Sequence, residues 1–286
     1  MPGAYDGRVG RVQRFGRDGL VFDVRDRGPL GGDAVLLLHG FPQDAGSWAA
    51  VEEPLHAAGL RTLALDQRGY SPGARPPDPI AYRIGEVTAD AVALLDAAGV
   101  RRAHVVGHDW GGFVAWALAG RHPDRVHTLT VLSTPHPHAY LRAVRSGSQL
   151  ARSWYIGLFQ VPRAPETLLR RGLRPWLVRT GMPPAEADRL AARMRRPGAL
   201  TAALAWYRAL RHTSGREHFP TVRVPTTYVW GRHDPAFGRV GAELTREVVS
   251  APYRFVELDA GHWLPETRPV QVTSVLLDRI RTVAAT

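Results

Sequence analysis

The chain has 286 residues, 44% of them hydrophobic, 8% aromatic and 22% charged, enough apolar side chain for one large core, with or without an inserted lid, and too much for a disordered polymer. It has no cysteine, which removes disulfide frameworks, thiolate nucleophiles and cysteine metal sites, and apolar runs such as Ala34–Leu38 are far too short to cross a bilayer. The 37 basic residues are all arginine, against 26 acids, and the net charge of +11 sits in one place: between His136 and Gly215 there are 14 arginines and three acids, Glu166, Glu186 and Asp188, while the remainder is neutral.

Taken in chain order, the start Met1–Asp6 lacks a basic-then-apolar signal pattern, so a cytoplasmic protein is expected. Strands are predicted at Val9–Phe15, Leu20–Arg25 and Ala34–Leu38, the last a continuous apolar run suited to burial on both faces. Helix and strand then alternate: helix Ser47–Ala58, strand Arg61–Leu65, helix Ile84–Ala98, strand Ala103–Gly107, helix Phe113–Ala119, strand Val126–Leu132. Such alternation builds a mostly parallel sheet flanked by helices. From His136 to about Gly215 no strand-like run occurs, only helical stretches punctuated by proline. The alternation resumes with strand Thr226–Trp230, helix Val240–Val249, strand Tyr253–Leu258 and helix Val270–Val283. The organisation expected is an α/β core in two parts, 1–135 and 216–286, interrupted by a helical cap at 136–215 that carries the whole charge surplus.

Gly107-His108-Asp109-Trp110-Gly111 falls between a predicted strand and a predicted helix. Its glycines permit a turn too tight for side chains on either side of the centre, which lifts Asp109 to the top of the sheet at a helix N-terminus, where the carboxylate stays ionised and nucleophilic. His39-Gly40-Phe41-Pro42 follows the third strand, so the amides of Phe41 and Trp110 can converge on one oxygen as an oxyanion hole. His39 is expected to brace that loop. His262 follows the last strand and Asp234 the strand before it. The order Asp109, Asp234, His262 is that of nucleophile, acid and histidine, with His262 as general base and Asp234 orienting its ring. Asp259, three residues before His262, is a rival partner less able to reach the ring. His104, His108 and His233 are read as structural. His136 and His138, without a carboxylate ligand nearby, make a poor metal site.

With these residues in place the chain resembles the α/β-hydrolase superfamily over nearly its whole length, and within it the epoxide hydrolases and their relatives, the haloalkane and haloacetate dehalogenases. The strings G-H-D-W-G-G at 107–112 and H-G-F-P at 39–42 carry the likeness to soluble epoxide hydrolases. Leu65–Ser71 resembles the D-x-R-G-Y-G-x-S loop of the group, with Ser71 where that pattern has glycine, and Asp66 and Arg68 are read as structural there. In the cap, Ser153–Gln160 resembles the first tyrosine segment and Ala205-Trp206-Tyr207-Arg208 the second, with Ala205 in place of the usual asparagine. The resemblance implies an α/β-hydrolase fold and makes Tyr155 and Tyr207 donors to the epoxide oxygen; a phenol, with an ordinary pKa near 10, stays protonated at neutral pH.

The mechanism so implied forms an ester on Asp109, which water activated by His262 hydrolyses to a vicinal diol, with no metal and no organic cofactor. Trp110, His136, Trp154 and Trp206 are the expected substrate-lining side chains. Dehalogenation with the same nucleophile is the alternative. Against it, Phe41 stands where haloalkane dehalogenases often carry asparagine, and Trp110 stands where haloacetate dehalogenases carry arginine. A non-catalytic binding protein with a basic cap is the alternative from another class, but no nucleic-acid module is recognisable. The expected partner is a small-molecule epoxide, without nucleic acid or membrane, with an acidic substrate or partner suited to the arginine-rich cap, on a monomer or homodimer.

Overall fold

The computed structural model describes residues 10–212 and 219–284. The chain enters through a hairpin, β1 (Arg14–Arg17) and β2 (Leu20–Arg27), turning at Asp18-Gly19. Both turn residues have positive φ, 51° and 76°, the backbone that lets a two-residue turn follow strand twist. This turn, and not the apolar spacing, sets the first strand: the expected Val9–Phe15 is displaced to Arg14–Arg17, and Val9 lies outside the described residues.

The parallel strands follow as β3 (Ala34–Leu38), β4 (Arg61–Leu65), β5 (Ala103–His108), β6 (Val126–Leu132), β7 (Thr226–Gly231) and β8 (Tyr253–Leu258). They form one eight-stranded sheet in the order β1-β2-β4-β3-β5-β6-β7-β8, with only β1 and β2 antiparallel to their neighbours. Alternate residues of β3 go to opposite sides: Leu36 and Leu38 join the larger core, and Val35 and Leu37 the smaller one. The connecting helices are α1 (Ala49–Ala57), α2 (Ile84–Ala97) and α3 (Trp110–Arg121).

Among the described residues between β6 and β7 the chain makes six α-helices and no strand: α4 (Pro137–Arg145), α5 (Ser148–Arg152), α6 (Trp154–Phe159), α7 (Ala164–Arg179), α8 (Pro184–Met194) and α9 (Ala199–Ala209). Pro137 and Pro184 take first-turn positions, where the missing N–H costs nothing. The expected end of this segment at Gly215 falls outside the described residues. Three further helices complete the chain, α10 (Arg239–Leu244), α11 (Leu264–Thr267) and α12 (Pro269–Ala284). The helix expected over Val240–Val249 is cut at Leu244 and finishes as a 3₁₀ turn, Thr245–Val248. There the Thr245 hydroxyl bonds back to the Gly241 carbonyl at 2.9 Å and accepts the His136 amide at 3.1 Å.

The insertion is tied to the loops at the carboxyl ends of β3 and β4. Trp206 donates its indole N–H to the Arg68 carbonyl at 2.8 Å, Arg189 pairs with Asp44 at 2.7 Å, and Arg193 pairs with Asp66. Ser71 uses its hydroxyl for a join that glycine could not make, accepting the Asp23 amide of β2 at 2.9 Å and donating to the Asp66 carbonyl at 2.5 Å. Because β4 and β5 flank β3 on opposite sides, the loops leaving β3 and β5 diverge, and a crevice opens beneath the insertion. No helix among the described residues is long and apolar enough to cross a membrane.

Candidate active site

The β5–α3 turn puts Asp109 at φ 51°, ψ −121°, directly before the first residue of α3. The turn closes only because its neighbours lack side chains: a Cβ on Gly107 would run into the Gly111 carbonyl, and one on Gly111 into the carbonyl of Leu38. Strand, turn and helix are thereby pressed against the end of β3, and the Phe41 amide donates to Asp109 Oδ1 at 2.8 Å. From the loop after β6 the Thr134 hydroxyl holds the Asp109 carbonyl at 2.8 Å. His39 donates from Nδ1 to the Gly40 carbonyl at 2.9 Å and accepts the Gln67 amide at Nε2, so it braces the loop that presents Phe41.

On the other side of the crevice, His262 Nδ1 lies 2.8 Å from Asp234 Oδ2, and His262 Nε2 lies 3.6 Å from Asp109 Oδ2, an ion-pair contact too long for a hydrogen bond. Asp234 is fixed through Oδ1, which accepts the Ala236 and Phe237 amides at 2.7 and 3.1 Å. Asp259 is turned away, paired on the surface with Arg232 and His233. Burial disfavours charge on His262, but Asp234 and Asp109 outweigh it and raise its pKa to about 10. Burial likewise disfavours the Asp109 carboxylate, and the His262 charge and Phe41 amide overcome this and lower its pKa. The resting site is an imidazolium between two carboxylates.

Tyr155 on α6 and Tyr207 on α9 cover this group. Tyr207 stands edge-on to Phe41 and Trp110, with ring centroids 5.5 and 5.0 Å away, and Tyr155 lies 6.1 Å from Tyr207. Burial and the nearby Asp109 charge hold both phenols well above their ordinary pKa. Gln160, just after α6, donates to the Tyr207 carbonyl on α9 at 2.7 Å.

Two cavities meet at Asp109, Tyr155 and Tyr207. One, of about 300 Å³, is apolar and lined by Trp110, Phe113, Tyr140, Trp206 and Phe237 among others; the second, of about 200 Å³, runs past His262, Phe159 and Leu169 to Trp154 and Trp176. Trp110 and Trp206 therefore line a wall, and Trp154 sits at an outer rim, 69% exposed. The expectation for His136 is corrected. It lines neither cavity; its buried ring packs on Trp116 at 5.3 Å and its Nδ1 accepts the His138 amide at the start of α4, leaving Pro137, Tyr140 and Leu141 to face the space. Among the described residues no group of three or more His, Asp or Glu side chains is gathered closely enough to hold a metal.

Of the layer beneath His262, the sequence reading reached only His108, as a structural residue. His108 lies with Nδ1 2.7 Å from Gln43 Oε1 and Nε2 2.9 Å from the His262 carbonyl, and Ser133 donates to the same carbonyl at 2.8 Å. Burial and the neighbouring His262 charge drop the His108 pKa to about 3. Gln43 continues the chain by donating to Glu266 at 2.5 Å, whose carboxyl burial pushes up to about 7.

This geometry can be set beside known proteins. The α/β hydrolase fold family model matches residues 33–269. The chain belongs to this family. It is 36% identical over 307 aligned positions to epoxide hydrolase A of Mycobacterium tuberculosis, covering 91% of this chain and 94% of that protein. It is 34% identical to the AB hydrolase superfamily protein YfhM of Bacillus subtilis, covering 95% and 98%. The crystal structure of epoxide hydrolase A from Mycobacterium thermoresistibile superposes with a TM-score of 0.80 at 30% identity, covering 94% of this chain and 97% of that one. This α/β-hydrolase is thus similar along its length to epoxide hydrolases.

Proposed function

We propose that this α/β-hydrolase opens a small-molecule epoxide to a vicinal diol through an ester on Asp109, in a site closed by a cap formed from residues 136–215. The observation that carries the proposal is the division of labour at one carboxylate: Oδ1 is held by the Phe41 amide at 2.8 Å, while Oδ2 faces His262 Nε2 at 3.6 Å beneath two protonated phenols. Oδ2 is the oxygen free to attack an epoxide carbon. The C–O bond of the ring breaks as the new ester bond forms, and Tyr155 and Tyr207 hydrogen-bond the departing ring oxygen.

Esterification removes the Asp109 charge that helps keep His262 protonated. The ring then gives up its proton, the alkoxide needs one, and the two balance. Neutral His262, oriented by Asp234, next takes a proton from water as the hydroxide adds to Cγ of Asp109. The negative charge collects on Oδ1, where the Phe41 amide is already placed and the Trp110 amide heads the adjacent helix. Collapse releases the diol and restores the carboxylate and the imidazolium.

The test is His262→Gln, which leaves the attack of Asp109, with solvent then protonating the alkoxide, and removes the base of the second step. Incubated with styrene oxide, the variant is expected to gain the full mass of the epoxide on the peptide containing Asp109, because ring opening expels no leaving group. A haloalkane in dehalogenation would add its mass less the halide. Normal turnover by the variant, a label elsewhere, or labelling by organohalides alone would overturn the proposal.

A further inference from the structure

The charge surplus of the insertion is only partly consumed within the molecule. Arg174, Arg189 and Arg208 hold its own three acids, Asp188, Glu186 and Glu166, and Arg142 and Arg193 reach the core acids Glu247 and Asp66. Three of the arginines left over, Arg163, Arg170 and Arg211, line one groove of about 630 Å³ together with Glu166 and Arg208. The groove shares no lining residue with either cavity at Asp109.

Helix geometry makes its two walls continuous. Counted from the N-cap Arg163 of α7, the lining positions 163, 166, 167 and 170 follow the three- and four-residue spacing that stacks side chains along one side of a helix. On α9, Thr201 and Arg208 are seven residues apart on one side, and Arg211 follows in the 3₁₀ turn Leu210–His212. Arg208 joins the walls, reaching from α9 to Glu166 on α7 at 2.8 Å. That pair uses up the carboxylate of the lining. The guanidinium groups of Arg163 and Arg170 meet no acceptor among the described residues, and Arg211 spends one nitrogen on the Gln160 carbonyl at 3.0 Å.

A guanidinium fork whose partner is missing suits a phosphoryl group, which offers it two oxygens at once. Arg163 and Arg170 stand two helical turns apart, about 10 Å along the axis, with Arg211 on the other wall. Two linked phosphoryl groups, with oxygens at both ends, engage this spread better than a single orthophosphate. We propose that the groove between α7 and the end of α9 binds a soluble diphosphate, held by Arg163 and Arg170 on one wall and Arg211 on the other. The site does not depend on which reaction takes place at Asp109, and its test needs no turnover.

The full chain is titrated calorimetrically with inorganic pyrophosphate and with orthophosphate at matched ionic strength. One site is expected, at least about tenfold tighter for pyrophosphate; ADP in a parallel titration distinguishes an organic diphosphate, if it binds more tightly, from the inorganic one. Arg163→Gln with Arg170→Gln should weaken pyrophosphate binding by about tenfold or more. Arg145→Gln with Arg179→Gln removes the same charge from exposed positions outside the groove and should leave affinity within about twofold. Thermal melts check that both variants are folded, and backbone hydrogen exchange on pyrophosphate binding should slow in peptides spanning 159–171 and 205–212. No binding, equal affinity for orthophosphate, or full affinity in the groove variant would overturn the proposal. So would an equal loss in the control variant, because net charge alone would then explain the binding, or protection confined to other peptides.

Discussion

The two-step proposal requires His262 to be an imidazolium at rest and a base after esterification, and Asp109→Asn isolates that switch by neutralising the carboxylate with little change of shape. Two unit charges 3.6 Å apart attract by roughly 4–5 kcal/mol at an effective dielectric constant of about 20. Losing that attraction should bring the His262 midpoint down by about three pH units, from about 10 to near neutrality, the range in which a general base works best. The assay is a pH titration of imidazole nitrogen resonances in the native and Asp109→Asn proteins, with His262→Gln to assign the signal. Stability should follow. A histidine pKa raised on folding contributes stability fully below the unfolded value near 6.5, and that stability is lost as pH rises through the folded pKa. The native protein should therefore lose this contribution between about pH 6.5 and 10, whereas in the Asn variant most of it is absent throughout. A midpoint in the variant still above about 9 would refute the reasoning, because Asp109 would then not be what holds the proton.

The tyrosine pair and the turn give two further expectations. Tyr155→Phe and Tyr207→Phe should each slow formation of the Asp109 ester by on the order of tenfold to a thousandfold, and the double change should nearly abolish it; stopped-flow single turnovers on folded variants measure this, and an unchanged rate would remove the phenols from the chemistry. Gly111→Ala places a Cβ against the Leu38 carbonyl, so it should cost roughly 1–3 kcal/mol by chemical denaturation and should displace Asp109 from the Phe41 amide, with a matching loss of ester formation.

Most of the sheet was legible because buried parallel strands leave a plain mark. The runs Ala34–Leu38, Arg61–Leu65, Val126–Leu132 and Tyr253–Leu258 begin and end in the structure where their composition predicts. Local turn chemistry was the weaker signal. The Asp18-Gly19 hairpin overrode the spacing before it, and Thr245 shortened a helix through hydrogen bonds that depend on residues far away in sequence. The insertion showed itself only as helical stretches, because its faces are set by contacts such as Arg189 with Asp44, which no period along the chain encodes.

The site divides along the same line. Asp109 and Phe41 stand next to glycines that make sense only as close backbone approaches, and Asp234 and His262 each follow a strand, so local sequence pointed to all four. His136 had no such constraint, and its ring turned inward to meet the amide of His138. In the layer under His262 only His108 belongs to a motif, the string at 107–112, and nothing there names its partners. Gln43 comes from the loop after β3, His108 from the end of its sheet neighbour β5, and Glu266 from α11, which packs on α1. His108 holds the His262 backbone from below while Asp234 holds its ring from the side. An imidazole that must change protonation between two steps without moving is thus secured at two independent points, and only one of them could be found by reading along the chain.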